Sequence, residues 1–270
     1  MSLYTVIGAT GFIGARACET LRRLGEAVYA PARGDPDLFS RDLGRVLYCA
    51  GLTGDYRERP FEAVEAHVSL LARLLETSRF ERLVYLSSTR LYEAQGEGVG
   101  REDAPLRIDP NDPRHIYELS KALGENLALT QSGGRGSAAR VAYVFDWAPG
   151  AAGFLSEWLA AARAGRDLIL ESSPSFARDY IHVDDVVRGL KAMLDAPGAG
   201  PVNLASGRRL SNLTLARAFE ARGWTVAFTR PPASEPTVTC DVSRLASLGA
   251  AAGDPLSLVE TYLDGLNLGA

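Results

Sequence analysis

No apolar run in this 270-residue chain approaches the roughly 20 residues that a bilayer-spanning helix needs. A membrane role is therefore not expected. Charge of one sign is equally scarce: 29 Lys and Arg stand against 33 Asp and Glu, a net charge of −4. That balance builds no polyanion-binding surface, and nucleic acid is not an expected partner. His67, His115 and His182, with Cys18, Cys49 and Cys240, are few and widely spaced, so no metal site is predicted, and the thiols read as buried structural groups. The first residues enter a strand without the basic stretch and small-residue cleavage site of a secretory leader, and the chain is expected to be cytoplasmic. No internal repeat, low-complexity linker or charge block is present.

What the chain does contain is an ordinary globular composition, 46% hydrophobic and 23% charged, enough for one large α/β unit or a nucleotide-binding domain with a smaller lobe. Near its start, Gly8, Gly11 and Gly14 stand at the spacing G-x-x-G-x-x-G in Gly8-Ala9-Thr10-Gly11-Phe12-Ile13-Gly14. An apolar run, Leu3 to Ile7, precedes the turn, and a helical pattern from Phe12 to Leu24 succeeds it. Strand, tight glycine turn and helix in that order leave free N–H groups at a helix N-terminus, where a pyrophosphate is favoured. Gly8, Thr10, Gly11, Phe12, Ile13 and Gly14 are the candidate cofactor-binding residues. A turn that binds nothing can carry the same glycines, so the pattern takes its meaning from the motifs downstream of it in the chain.

A short second strand, Val28 to Ala30, ends in Pro31-Ala32-Arg33-Gly34. An acidic residue there would hold a ribose 2′-hydroxyl, whereas an arginine can accept a 2′-phosphate. Arg33 therefore favours NADP, while Asp35 and Asp37 stand near enough to leave NAD open. A third strand, Val46 to Ala50, ends at Gly51, and Ala50 and Gly51 are placed beside the cofactor. An amphipathic helix is expected over Phe61 to Leu75, then a buried strand over Arg82 to Ser88. Ligands of an open parallel sheet sit beyond the carboxyl ends of its strands, so Ser87, Ser88 and Thr89 face the crevice. The Gly-, Pro- and acid-rich stretch from Glu93 to Pro113 reads as a loop bordering a site.

Next, Pro113 opens a helix to about Gln131 in which Tyr117 and Lys121 are four residues apart, on one face. A phenol ionises near pH ~10, and a neighbouring ammonium favours its phenolate, bringing it toward a range where it can exchange a proton with a hydroxyl or carbonyl. Ser88 can hold the same oxygen. Beyond the helix, Ser137 to Phe145 reads as a sixth strand. A helix from Gly153, a strand over Leu168 to Leu170, a helix over Asp185 to Leu194, a strand over Val202 to Leu204, a helix capped by Ser211 and a last helix over Leu256 to Leu266 complete the pattern.

In this order of motifs the sequence resembles the extended short-chain dehydrogenase/reductase family, the epimerase and dehydratase group that acts on nucleotide sugars. The turn G-A-T-G-F-I-G, the strand L-V-Y-L-S-S-T-R-L-Y, the helix start Y-E-L-S-K and the run Arg178-Asp179-Tyr180-Ile181-His182-Val183-Asp184-Asp185-Val186 carry the likeness. Asp241-Val242-Ser243-Arg244 with Leu248-Gly249, then Pro255-Leu256-Ser257-Leu258, extends it to the C-terminal part. The resemblance implies a Rossmann-like doubly wound parallel sheet over residues 1–150, rejoined by about 175–205. Residues 151–270 would form mainly a substrate-binding lobe. It implies that Ser88, Tyr117 and Lys121 are catalytic, with Tyr117 as acid/base and Lys121 on the nicotinamide ribose. Ser88, Thr89, Tyr143, Arg178 and Arg230 would meet the substrate, the arginines through phosphate oxygens. A homodimer through the helices at about 61–75 and 113–131 is implied as well.

The departures matter as much. His67 and Tyr143 stand where the family often has asparagines, and the second of these commonly helps to hold substrate phosphates. The family's 4,6-dehydratases carry Asp-Glu directly after their catalytic threonine, whereas Ser88 is succeeded by Thr89-Arg90, which speaks against elimination. His182 reads as a packed structural histidine. The expected activity is hydride transfer between NADP(H) and a carbinol or keto carbon of a nucleotide-linked sugar. The alternatives are reduction of a non-nucleotide carbonyl compound and a cofactor-sensing protein without catalysis.

Overall fold

The computed structural model describes residues 2–196, 198, 200–233 and 238–268. Chain order begins β1 Leu3–Ile7, α1 Phe12–Arg23, β2 Ala27–Tyr29, β3 Arg45–Tyr48 and α2 Pro60–Val64. One π-helical turn, Glu65–Ser69, joins α2 to α3 Leu70–Thr77. Then come β4 Arg82–Ser88, β5 Gly98–Gly100, α4 Ile116–Thr130, β6 Gly136–Val141, β7 Tyr143–Phe145, α5 Phe154–Ala164, β8 Asp167–Leu170 and β9 Ala177–His182. The remainder is α6 Val183–Asp195, β10 Pro201–Leu204, β11 Arg209–Ser211, α7 Asn212–Glu220, β12 Thr225–Phe228, β13 Val238–Cys240, α8 Ser243–Ser247 and α9 Pro255–Leu268.

Six strands form a parallel sheet in the order β10-β6-β4-β3-β1-β2. The strands are apolar at successive positions because the sheet is covered on both faces, and alternate residues sort cleanly between them. Val6, Leu47 and Val84 point into a core with Leu21 of α1 and Leu190 of α6, while Ile7, Val46, Tyr48, Leu83 and Tyr85 join Leu71 and Leu74 of α3. The chain runs outward from β1 to β2 on one side and then through β3, β4, β6 and β10 on the other. Its switch point therefore lies at the carboxyl ends of β1 and β3, where a ligand crevice is expected in such sheets.

A second core, built on Phe145, Trp158, Leu159, Tyr180, Phe219 and Leu263, lies among α5, α7, α9 and the small sheets β11-β9-β7 and β12-β8. The single strand expected over Ser137 to Phe145 is two. Ala142 N–H donates to Leu204 at 2.9 Å, and beyond it the chain leaves the central sheet to pair β7 with β9. The expected loop from Glu93 to Pro113 contains β5, which pairs in parallel with β13; a strand of Gly-Val-Gly exists only through that distant partner. The helix expected over Phe61 to Leu75 runs from Pro60 to Thr77 and is interrupted by the π-turn. α6 starts at Val183, two residues early, where the His182 side chain accepts from Asp184 N.

Below the sheet's carboxyl edge, two charges are fully enclosed. Glu125 and Arg140, each 4% exposed, are ion-paired, and Glu125 also accepts from Ser87 Oγ at 2.8 Å. Arg140 Nη1 donates to Tyr92 Oη at 2.7 Å, and Tyr92 in turn donates to Asn203 at 2.8 Å, tying β4, α4, β6 and β10 together. Removing one partner strands the other in an apolar interior, which costs about 3–5 kcal/mol. Glu125→Ala should lose about that much in urea unfolding, and a loss below about 1 kcal/mol would show that Arg140 finds another partner or water.

Candidate active site

Two of the three turn glycines are required by close packing. Gly8 adopts φ +83°, and a Cβ there would stand 2.7 Å from Ala50 N at the end of β3. A Cβ on Gly14 would be driven to 2.2 Å from Gly8 O. Helix α1 therefore begins hard against the turn. Its N-cap is Gly11, with no side-chain cap and no acidic residue in the first turn. The first N–H groups and the positive end of the helix dipole stay available to an anion, which is what a dinucleotide pyrophosphate requires.

A cavity of about 450 Å³ opens beside this helix end, lined by Gly11, Phe12, Ile13 and Gly14, by Cys49, Gly51 and Thr53 after β3, by Ser87, Ser88 and Thr89 after β4, and by Tyr117 and Lys121 of α4. Four of the six expected turn residues thus line it. Gly8 and Ala50 pack on each other and do not line it, while Thr10 is exposed and outside it. The cavity adjoins a second one of about 310 Å³, and Thr89, Arg90 and Tyr143 line both. Arg57, Glu93, Arg114, Glu118 and Arg178 make the second cavity highly charged. Arg178 lies over Phe176 and Tyr143, its guanidinium carbon 3.8 and 5.2 Å from the ring centres. Tyr143 donates to Glu93 at 2.7 Å. Arg230, expected at the substrate, is exposed and lines neither cavity. Arg33 is 86% exposed, with Glu62 at 3.9 Å.

Within the first cavity, Ser88, Tyr117 and Lys121 come together. Ser88 Oγ accepts from Arg90 N at 3.2 Å, which leaves its own proton free to donate to an oxygen in front of it. Tyr117 is 3% exposed. Burial pushes its phenol up, against the lowering effects of the Ser88 hydroxyl and the Arg90 guanidinium. Lys121 Nζ donates to Leu86 O at 2.8 Å and lies 5.9 Å from the Tyr117 ring centre. Its enclosure depresses the amine to about 7. Of the three cysteines, Cys18 and Cys240 are buried, whereas Cys49 is half-buried and faces the first cavity, its thiol raised by burial to about 12 and thus unreactive. Among the described residues no group of His, Cys, Asp and Glu is placed to hold a metal ion, and no helix is long and apolar enough to cross a membrane.

His67 and Arg90, which the sequence marked only as departures, complete the wall around Tyr117 together with Tyr56. His67 is fully buried on the π-turn. Its Nε2 accepts from Leu52 N at 3.1 Å, so the ring proton is on Nδ1, 2.8 Å from Ser120 Oγ, and Ser120 donates to the Tyr117 carbonyl at 2.9 Å. Burial, and then Lys121, hold the imidazole down at about 3, so it stays neutral. Tyr56 packs at a tilt with its ring centre 5.2 Å from that of Tyr117, and Arg90 lies 4.6 Å from the same ring centre. The only sequence signal for Arg90 was its place two residues after Ser88.

Fold and glycine turn together define a Rossmann-type parallel sheet with an uncapped helix N-terminus at its switch point. Residues 4–205 match the NAD dependent epimerase/dehydratase family, and the chain belongs to it. It is 28% identical over 198 residues to dTDP-4-dehydro-6-deoxy-D-allose reductase of Streptomyces bikiniensis, covering 68% of this chain and 61% of the relative. To dTDP-glucose 4,6-dehydratase of Streptomyces griseus it is 28% identical over 257 residues, covering 78% and 75%. The chain thus spans about three fifths of the length of the first of these relatives. Among solved structures, MoeE5 in complex with UDP-glucose and NAD is 26% identical, with a TM-score of 0.78 over 98% of each chain. MoeE5 has also been solved with UDP-glucuronic acid and NAD.

The Lys121 amine sets a pH dependence of stability. Unfolded, it takes up a proton below its ordinary value of 10.5; folded, only below about 7. Unfolding therefore binds a proton between these values, and stability rises with pH through that window; below it the full cost of the buried charge is present. Comparison of the cofactor-free wild type with Lys121→Met by urea unfolding should shift in favour of the wild type by at least about 1.4 kcal/mol from pH ~6 to pH ~9, the worth of one pH unit. A constant difference would mean that the amine is not desolvated.

Proposed function

We propose that the protein oxidises or reduces a carbinol or keto carbon of a nucleotide-linked sugar, by reduction of a ketone or by epimerisation through a transient one. The observation that carries this reading is the meeting of Ser88, Tyr117 and Lys121 in a cavity beside the glycine turn, next to a second cavity lined by arginines. The glycine turn and bare N-terminus of α1 would hold the pyrophosphate, and Lys121 the nicotinamide ribose. When bound, the nicotinamide takes up or returns a hydride at the reacting carbon. Tyr117 accepts the proton of the sugar hydroxyl in one direction and returns it in the other, while Ser88 donates a hydrogen bond to the same oxygen. Rate comes from positioning and from matching the phenol's acidity to the task.

The lobe of residues 151–270 supplies Arg178, whose planar cation suits diphosphate oxygens. Thr89 and Tyr143 border the sugar, and Arg230 would act only if a bound substrate drew it in. Tyr143, tied to Glu93 where relatives often place asparagine, favours as a second reading a carbonyl substrate without a nucleotide. Elimination of water is disfavoured because Thr89 and Arg90 offer no carboxylate beside Ser88. The protein would work as a homodimer in the cytoplasm.

NADP is the proposed cofactor, although the MoeE5 complexes contain NAD. No acid ends β2, and Asp35 is engaged in capping, accepting from Asp37 N at 3.0 Å. Arg33 remains exposed and able to turn toward a 2′-phosphate. Arg33→Ala should weaken NADP binding at least about tenfold, about 1.4 kcal/mol, and leave NAD nearly unchanged; equal losses in calorimetric titrations with both would remove the preference.

The reading as a whole is tested with Tyr117→Phe saturated with cofactor. The variant should bind a UDP- or dTDP-hexose as the wild type does while turnover falls by at least about 10²-fold, the usual worth of a positioned acid/base. Undiminished turnover would sink the mechanism, and failure of wild type and variant alike to bind any such sugar would favour the second reading.

A further inference from the structure

The cation nearest Tyr117 is not the lysine that shares its helix. Arg90 leaves the end of β4 through the turn capped by Ser88, and its guanidinium lies over the Tyr117 ring at 4.6 Å, against 5.9 Å for Lys121 Nζ. Three contacts hold it there. Nη2 donates to Glu118 Oε1 at 2.9 Å and to Tyr56 Oη at 3.0 Å, and the group also faces the Tyr56 ring at 5.1 Å. Glu118 is itself buried, so the clamp is largely withdrawn from water. Such an ion pair holds its geometry because each partner is costly to leave alone.

The charged and titratable groups around the phenol can be named from every side. Ser88, Arg90 and Tyr85 come from β4 and its turn, Thr53 and Tyr56 from the segment after β3, His67 from the π-turn, and Glu118 and Lys121 from α4. His67 is neutral, with its tautomer fixed by Leu52. Glu118 is the buried carboxylate beside the phenol and is ion-paired with Arg90, whose Nε also has the exposed Glu93 at 4.0 Å. Two cations are left to favour a phenolate.

We propose that Arg90 is a positioning residue that acts through Tyr117, its clamped guanidinium supplying the standing positive charge that favours the phenolate. Lys121 does not supply this charge steadily, because its amine is enclosed without a carboxylate and is divided between charged and neutral forms near neutral pH. A guanidinium stays charged throughout the working range. Lys121 is thereby freed for a hydrogen-bonding task, and the ionisation of Tyr117 no longer tracks the titration of the lysine. The proposal rests on Tyr117 being the acid/base, and it gives the cation at position 90 a positive role, beyond the absence of a carboxylate there.

The test reads the phenol itself and needs no turnover. Full-length protein carrying Cζ-labelled tyrosine is titrated by NMR, the Tyr117 signal being the one lost in Tyr117→Phe. Arg90→Gln should raise the titration point of Tyr117 by about one to two pH units, the effect of removing an adjacent opposite charge. Arg90→Lys should recover at least half of that shift. Glu118→Gln should lower it, because Arg90 then loses its buried counter-charge; this variant keeps the test open should Arg90→Gln not fold. Equal titration in wild type and Arg90→Gln, failure of Arg90→Lys to recover the shift, or no titration below about pH 11 in any of them would overturn the proposal. Loss of turnover in Tyr117→Phe is a separate measurement, so the acid/base reading can stand while this one falls.

Discussion

A parallel sheet covered by helices on both faces leaves one open margin, the edge at which its strands end. In this chain everything chemical is crowded onto that margin. The turn after β1, Gly51 after β3 and Ser88 at the end of β4 arrive there because parallel strands bring all their carboxyl ends to the same side. The margin is also where side chains are least tolerated. Gly8 meets the end of β3 so closely that no Cβ fits, and Gly14 meets Gly8. The approach of α1 to the sheet, and with it the direction of its dipole, is set by these contacts.

How much of this could be read in the sequence depended on the distance over which each feature is determined. Strand, turn and helix at residues 3–23 are local, and so is the four-residue step from Tyr117 to Lys121; both stand where the spacing placed them. The clustering of Ser88 with Tyr117 was implied by the rule about strand ends. Features made by distant partners were not legible. The pairing of β5 with β13 joins segments about 140 residues apart, and at three residues each neither is long enough to announce a strand. The break at Ala142 shows only when Leu204 is seen to receive its N–H. The Arg90 clamp needs Tyr56 and Glu118, which only the fold brings near.

Electrostatics at the site works by enclosure more than by abundance of charge. Lys121 and Tyr117 are driven by burial toward their neutral forms, in opposite directions on the pH scale. Arg90 and Glu118 are ion-paired at 2.9 Å. The interior network of Glu125 and Arg140 repeats that solution one layer below, between the same helix and the next strand. Helix α4 thus carries a paired carboxylate toward the cavity and another toward the sheet, with the reactive phenol and amine on the face between.

The π-turn at Glu65–Ser69 makes the helix that supplies His67 a counting device. A π-turn accommodates one residue more than the α-helix on either side of it, and each residue of an α-helix advances the side chain by about 100°. Loss of a single residue from this segment would let the helix close into regular α geometry. The imidazole would then swing about a quarter turn, away from Leu52 and Ser120. Substitutions on the outer face of this helix leave that phase untouched, whereas a one-residue change in length alters it at once. The constraint is on residue number more than on residue type, and it reaches Tyr117 through Ser120 at its backbone and through the edge of the imidazole at its ring.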